Sequence, residues 1–321
     1  MDRQRLVGVG LVLVSAASFG SGALFAKPVY ASGVDWLTLL AWRFLIGASL
    51  SWAWLAVSAA RRAGLLRLSR RRVLVALALG VLYLGNSGTY YAGLETVSAS
   101  LAALIVFIYP AIVAVLSLRV GHRLVGRRPW VALAMALAGT ALALGGIPAG
   151  AVPPLSGLIA VIASPIIYAV WIVLSARLSG ETSERVGGEA DDGADTAAAT
   201  ALMMVATAVG FWALAIATRR PVLPADVPGA AWPGIIGIGL VSTFVAIQTF
   251  YEGTKRVGAA QASLISTFEP IWTITLAALL FGETLGPLQL LGGAFVIGGV
   301  LLAQTAPATI GRGSTLRIAD E

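Results

Sequence analysis

The chain has 321 residues, of which 58% are hydrophobic and only 12% charged, and its mean hydropathy is +0.88. Soluble proteins carry about twice that share of charge, so composition places this chain in a membrane. It has no cysteine and one histidine, His122, which excludes disulfides, thiolate or multi-histidine metal sites and Cys-His catalysis, and leaves Ser-His-Asp catalysis only His122 to use. That histidine stands in RVGHRLVGRR, a basic loop rather than a catalytic setting.

Apolar windows between polar breaks predict ten spans. They lie at 6–26, 36–57, 73–94, 97–117 and 130–147, then at 156–176, 196–217, 231–251, 259–281 and 286–304. The first run has too long an apolar core for a cleaved signal peptide, and no clear A-x-A site follows it. Ser15, Ser18 and Gly22 make a small-residue face on it, suited to close packing or to a solute, and Lys27 reads as an interface anchor. Trp36, Trp130 and Trp232 read as further anchors. Arg43 lies about a third of the way into the second span. Its fork could take a carboxylate or phosphate, but the expected role is structural, with the side chain snorkelling outward toward Asp35.

Polar stripes follow at helical spacing. Tyr83, Asn86, Ser87 and Tyr90 share a face of the third span. Tyr109 and Pro110 sit in the fourth. Ser164, Tyr168, Trp171 and Ser175 share a face of the sixth, where Pro165 adds a possible kink. Residues 178–195 are acidic and Gly-rich and read as a flexible linker. Gln248, Tyr251 and Glu252 cluster toward the inner end of the eighth span. In the ninth, Ser266, Glu269 and Thr273 share one face. A carboxylate near mid-membrane costs roughly 2.5–3.5 kcal/mol if it faces lipid, so Glu269 should face the bundle or a water-filled path. Pro270 frees the carbonyl of Ser266, which needs another partner. Two readings stand for Glu269: a proton carrier or counter-charge on a solute path, or a structural group that caps this backbone or pairs with Arg43. Glu95 and Glu283 fall at outer turns, where Glu283 is expected to cap a helix end.

With the N-terminus inside, eighteen Lys and Arg fall on the inner side and three (Lys27, Arg219, Arg220) on the outer. This predicts cytoplasmic termini and explains the +7 charge without nucleic acid, the inner Arg clusters contacting anionic lipid.

Shifting the chain by 160 residues lays Tyr91, Gly93, Val97, Ala99, Leu104, Ile105 and Pro110 on Tyr251, Gly253, Val257, Ala259, Leu264, Ile265 and Pro270. A one-residue gap then sets Gly121-His122-Arg123-Leu124 against Gly282-Glu283-Thr284-Leu285. Five spans per copy is odd, so the second copy must be inverted, a transporter signature with the site expected at the midplane. Two five-span units, each with a proline-bearing fourth helix, resemble the paired repeats of EamA-type proteins of the drug/metabolite transporter superfamily. Trp42-Arg43-Phe44, Phe268-Glu269-Pro270, Phe281-Gly282-Glu283 and the Gly-rich last span (Gly292-Gly293 through Gly298-Gly299) carry the resemblance, over about residues 6–304. One departure is His122, which stands where the first repeat of such proteins often has Glu. The resemblance implies substrates such as amino acids or related metabolites, often exported.

The expectation is therefore an all-α membrane protein of two inverted five-helix repeats, 6–147 and 156–304, with a cytoplasmic tail at 305–321. It would move a small organic metabolite across the inner membrane by alternating access, with no enzymatic role, cofactor, metal or nucleic acid, as a monomer or homodimer among membrane lipids. Ser18, Tyr83, Asn86, Tyr90, Tyr109, Tyr168, Trp171, Gln248, Ser266, Glu269 and Thr273 are the expected substrate contacts. Pro110 and Pro270 are the expected hinges. A flippase for lipid or a lipid-linked metabolite is the alternative.

Overall fold

The structure, a computed structural model, describes residues 3–117, 127–147, 152–178, 193–257, 262 and 265–304. The His122 turn, most of the 178–195 linker and the tail after Gln304 lie outside the described residues. The regular elements among the described residues are all helices, with no strand. In chain order the helices are α1 (Arg3–Gly20), α2 (Gly22–Ala31), α3 (Trp36–Val57), α4 (Ala59–Arg67), α5 (Arg70–Leu94), α6 (Ala99–Val106) and α7 (Tyr109–Ser117). There follow α8 (Arg128–Gly145), α9 (Leu155–Leu178), α10 (Gly193–Ala217), α11 (Trp232–Gly239), α12 (Ala246–Val257), α13 (Phe268–Phe281) and α14 (Pro287–Gln304). A π-helical turn, Leu240–Val245, joins α11 to α12 without a break.

Six helical stretches are long and apolar enough to cross a bilayer: Arg3–Ala31, Trp36–Val57, Arg70–Leu94, Leu155–Leu174, Ala197–Ala217 and Gly229–Thr254. Four shorter apolar helices, Ala99–Val113, Trp130–Gly145, Phe268–Phe281 and Pro287–Leu302, fall within the remaining predicted spans. Leu137, Ile159, Val209 and Leu279 are exposed on the outside of the bundle, as a lipid-facing surface requires.

Helices pair across the chain in a reciprocal pattern. The first predicted span packs on the eighth (α1 with α12) and the third on the sixth (α5 with α9). The second packs on the seventh (α3 with α10), the fourth on the ninth (α6 with α13) and the fifth on the tenth (α8 with α14). Small residues set the closest of these seams. A Cβ on Gly139 would lie 2.5 Å from the carbonyl oxygen of Gly292, and one on Gly292 would lie 2.4 Å from that of Gly139. Only glycine lets α8 and α14 touch backbone to backbone there. Gly299, on the same face of α14, would place a Cβ 2.7 Å from the carbonyl oxygen of Ala132 in α8, and Gly298 beside it meets Met135, so this small-residue stripe packs within the chain.

The fourth and ninth spans both break just ahead of their prolines. Between α6 and α7 the chain turns at Phe107 and Ile108, and Pro110 then stands in the first turn of α7. Ahead of α13 it turns at Ser266 and Thr267, and Pro270 stands in the first turn of the new helix. In that position the missing N–H is one the helix would not have used. The carbonyl of Ser266 finds its partner in the backbone N–H of Glu269 (3.0 Å).

Candidate functional site

A cavity of about 310 Å³ lies between the halves. From α5 it takes Tyr83, Asn86, Ser87, Tyr90 and Tyr91, and from α9 Ser164, Tyr168 and Trp171. Tyr109 enters from α7. Glu269, Pro270 and Thr273 come from α13, with Ser266 from the turn before it. Spacings of three and four residues on α5, α9 and α13 put these side chains on the inward faces.

Aromatic rings form one wall. Tyr109 meets Tyr168 edge-on at 4.7 Å, and Tyr168 stacks on Trp171 at 5.8 Å. Trp171 in turn lies 5.4 Å from Tyr83. The indole N–H of Trp171 donates to the carbonyl of Leu79 (3.0 Å), which fixes the ring against α5. Ser164 Oγ donates to Asn86 Oδ1 (2.9 Å), tying the same two helices just beside the cavity. These contacts hold the wall rigid while leaving ring faces and edges available to a solute.

Glu269 supplies the acid. Its backbone carbonyl accepts from Thr273 Oγ1 (3.0 Å), and that hydroxyl also reaches the carbonyl of Gly20 on α1 (2.8 Å). The approach is close, since a Cβ on Gly20 would lie 2.7 Å from Thr273 Oγ1 and 2.9 Å from the carbonyl oxygen of Glu269. Helix α13 is thus pinned to α1 one turn beyond the acid. Among the described residues Glu269 and Arg43 form no ion pair.

Arg43 does not snorkel. It is buried, 5% exposed, and lines the same cavity. Its Nε donates to Thr243 Oγ1 (2.9 Å), and its guanidinium lies 4.7 Å from the ring of Tyr91 and 5.0 Å from that of Phe44. Asp35, its expected outer partner, instead caps α3 by accepting from the N–H groups of Leu37 and Thr38.

Of the eleven residues expected to contact substrate, nine line the cavity. Ser18 and Gln248 do not; Ser18 is buried in α1, in the small-residue face that packs on neighbouring helices. On that face Ser15 donates to the carbonyl of Ala246 (2.7 Å), and a Cβ on Gly22 would lie 2.6 Å from the Tyr91 hydroxyl. Glu252 pairs with Arg256 (3.0 Å), one turn along α12. The side chains of Ser175 and Tyr251 lie outside the described residues. Phe19, Tyr91, Thr200, Met203, Met204 and Phe250 line the cavity without having been expected there. In a span apolar all round, methionine and phenylalanine carry no sign of which face meets a cavity.

The turns before α6 and after α13 are tied from both halves. Glu283 accepts from the N–H groups of Ala99 and Ser100 (2.9 Å each), so its carboxylate caps α6 across the chain. The left-handed turn at Gly282 (φ 65°) ends α13 and places Glu283. Lys27, expected as an interface anchor, donates to the carbonyls of Leu94 (2.8 Å) and Val97 (2.6 Å). Glu95 accepts from the N–H of Trp36 (2.6 Å). Its carboxyl is raised above the usual range by partial burial at this turn, against the pull of that hydrogen bond.

The model of the EamA-like transporter family matches residues 6–145 and again 155–305. The chain belongs to the EamA-like transporter family. With its apolar helices, that makes it a multi-pass membrane protein. It is 26% identical to the uncharacterized transporter YcbK of Bacillus subtilis (strain 168), over 90% of each chain. It is 29% identical to an uncharacterized transporter of Archaeoglobus fulgidus, over 71% of this chain and 75% of that one. A solved crystal structure superposes with a TM-score of 0.62 over 92% of this chain and 96% of its own. At 20% identity, that likeness concerns the fold alone. EamA family members are transporters, which sets the frame for the cavity.

Proposed function

We propose that this EamA-family protein moves a small organic metabolite, an amino acid or related compound, across the cytoplasmic membrane, in the export direction. Movement is by alternating access between two inverted five-helix halves. The reciprocal helix pairing supports this architecture, because exchanging the halves maps each pairing onto itself or onto another that is present. The two separate family matches support it as well.

The observation that carries the reading is the cavity itself: aromatic rings, hydroxyls, an amide and one acid converge between the halves, at the point where α7 and α13 begin. That lining suits a solute with both an apolar body and polar groups. Pro110 and Pro270 act as hinges, because each stands in the first helical turn after a break already present in its span. Glu269 carries the coupling proton, since it is the acid that the cavity presents.

The experiment is uptake and counterflow in proteoliposomes with a labelled amino-acid and metabolite panel. Wild type and Glu269→Gln are run side by side, with and without an imposed pH gradient. The expected result is movement of one solute class, driven by the gradient in wild type and indifferent to it in the variant. Transport that ignores both gradient and substitution makes Glu269 structural and the protein a facilitator. Failure of every solute to move, while a lipid probe flips, replaces this reading with a flippase.

A further inference from the structure

We propose that Arg43 and Ser87 together form an oxyanion subsite in the cavity wall, and that the solute is a monocarboxylate with an aromatic or similarly flat apolar body. The proposal rests on the transport reading of this cavity and names the chemistry of its substrate.

Arg43 is a permanent cation, 5% exposed, and its Nη1 has no hydrogen-bond partner among the described residues. A buried charge left in that state is costly, and cation–π contact with Tyr91 and Phe44 offsets only part of the cost. The side chain is nevertheless firmly held. Thr243, in the π-helical turn, donates its own proton to the carbonyl of Ile238 five residues back in α11 (3.0 Å), and is thereby left to accept from Arg43 Nε (2.9 Å). Single π-type turns are frequent at functional sites. Nε is fixed by this relay, and Nη1 remains an unused donor on a side chain that lines the cavity.

Ser87 is the second unused group. It is 4% exposed, it lines the same cavity, and its Oγ also has no partner among the described residues. Its place on α5 sets it on the face that meets α3. Tyr83, Ser87 and Tyr91 follow at intervals of four, so they stack along one face of the helix. Phe44 touches Tyr83 at 5.9 Å, and the Arg43 guanidinium lies over Tyr91. Ser87 is therefore bracketed, between two residues that face Phe44 and Arg43 from the same stripe. A guanidinium N–H and a hydroxyl on adjoining helices are the donors that a carboxylate takes.

One charge fits better than two. The site offers a single guanidinium edge, and Glu269 lines the same cavity, so a dianion would lack a second cation and meet a carboxyl. The ring wall of Tyr168, Trp171 and Tyr83 extends from the same stretch of α5 and would take the flat body.

The test is equilibrium binding to the full-length protein in lipid nanodiscs, with labelled phenylacetate as probe and phenylacetamide and phenyl phosphate as competitors. Wild type is expected to bind phenylacetate saturably, at least about tenfold tighter than the amide or the phosphate ester, the usual scale for hydrogen bonds to a charged group. Arg43→Gln should bring the acid down to the level of the amide. Ser87→Ala should weaken the acid roughly three- to tenfold and leave the amide unchanged. The serine variant removes a hydroxyl that bonds nothing in the fold, so it carries the test even where Arg43→Gln does not fold. Equal binding of acid and amide by wild type, absence of saturable phenylacetate binding, or an acid preference in Ser87→Ala undiminished from wild type overturns the subsite. Tighter binding of phenyl phosphate than of phenylacetate overturns the monocarboxylate assignment. The transport assay separates the two readings. Neutral solutes moving without acid preference leave transport standing and remove the subsite; acid-selective binding with no solute moved does the reverse.

Discussion

Glu283 shows how much one side chain can organise at a turn between spans. Both of its oxygens accept backbone N–H groups at the start of α6, in the other half of the chain. Those N–H groups have no partner inside their own helix, and a negative charge is favoured at that end. Glu283→Ala should therefore cost about 1–3 kcal/mol, read as a lowered Tm of the purified protein, while Glu283→Gln should recover part of the loss. An unchanged Tm in the alanine variant would mean the cap is not formed. The ninth-span acid behaves differently. Glu269 stands where the helix restarts, beside a carbonyl already satisfied by its own N–H. Glu269→Gln keeps that backbone arrangement, so the expected loss is in the response to a pH gradient rather than in folding. A Glu269→Gln protein that melts well below wild type would argue for a structural role.

At the scale of elements, close contact decides more than hydrophobicity, because lipid is as apolar as the helices themselves. Helices α8 and α14 meet through Gly139 and Gly292, where an added methyl would collide with backbone. Gly139→Ala should destabilise by about 1–3 kcal/mol, since carbonyl oxygens cannot move aside as a side-chain tip can. Gly10 faces open space, so Gly10→Ala is the matched control and should be neutral or slightly stabilising. Thermal melts of the two variants check this, and equal Tm values would refute the packing account. Breaks matter as much as seams. The turns before Pro110 and Pro270 end one helix and begin another inside a single span, and this brings Tyr109 and Glu269 to helix starts at the cavity.

For the whole molecule, the pairing of each span with a span of the other half is what makes a central cavity possible, because both halves then contribute to one interface. If the halves rock about it, the cavity opens to one side at a time. The native chain has no cysteine, so a single one can report this. Ala103→Cys, in the cavity wall, should be labelled by a membrane-impermeant maleimide from one face at rest. It should be labelled from the opposite face once a transported solute is loaded in trans. Labelling from the same face under both conditions would refute alternating access.

Membrane residence, helical class and the presence of an acid beside a proline in the ninth span were all determined by the sequence itself. Hydropathy and charge count are sums along the chain, and they need no knowledge of neighbours. Periodicity went one step further. It sorted Tyr83, Asn86 and Tyr90 onto one face of α5, and Ser164, Tyr168 and Trp171 onto one face of α9, and these faces do meet at the cavity. It could not separate them from Ser18, whose small polar face looks the same along the chain but lies buried in α1, outside the cavity lining. Only the tertiary structure decided that Arg43 stays inside, because its place is set by Thr243 two hundred residues away and by a ring of Tyr91. A residue's face follows from its own helix, whereas its partners follow from which helices the folded chain brings together.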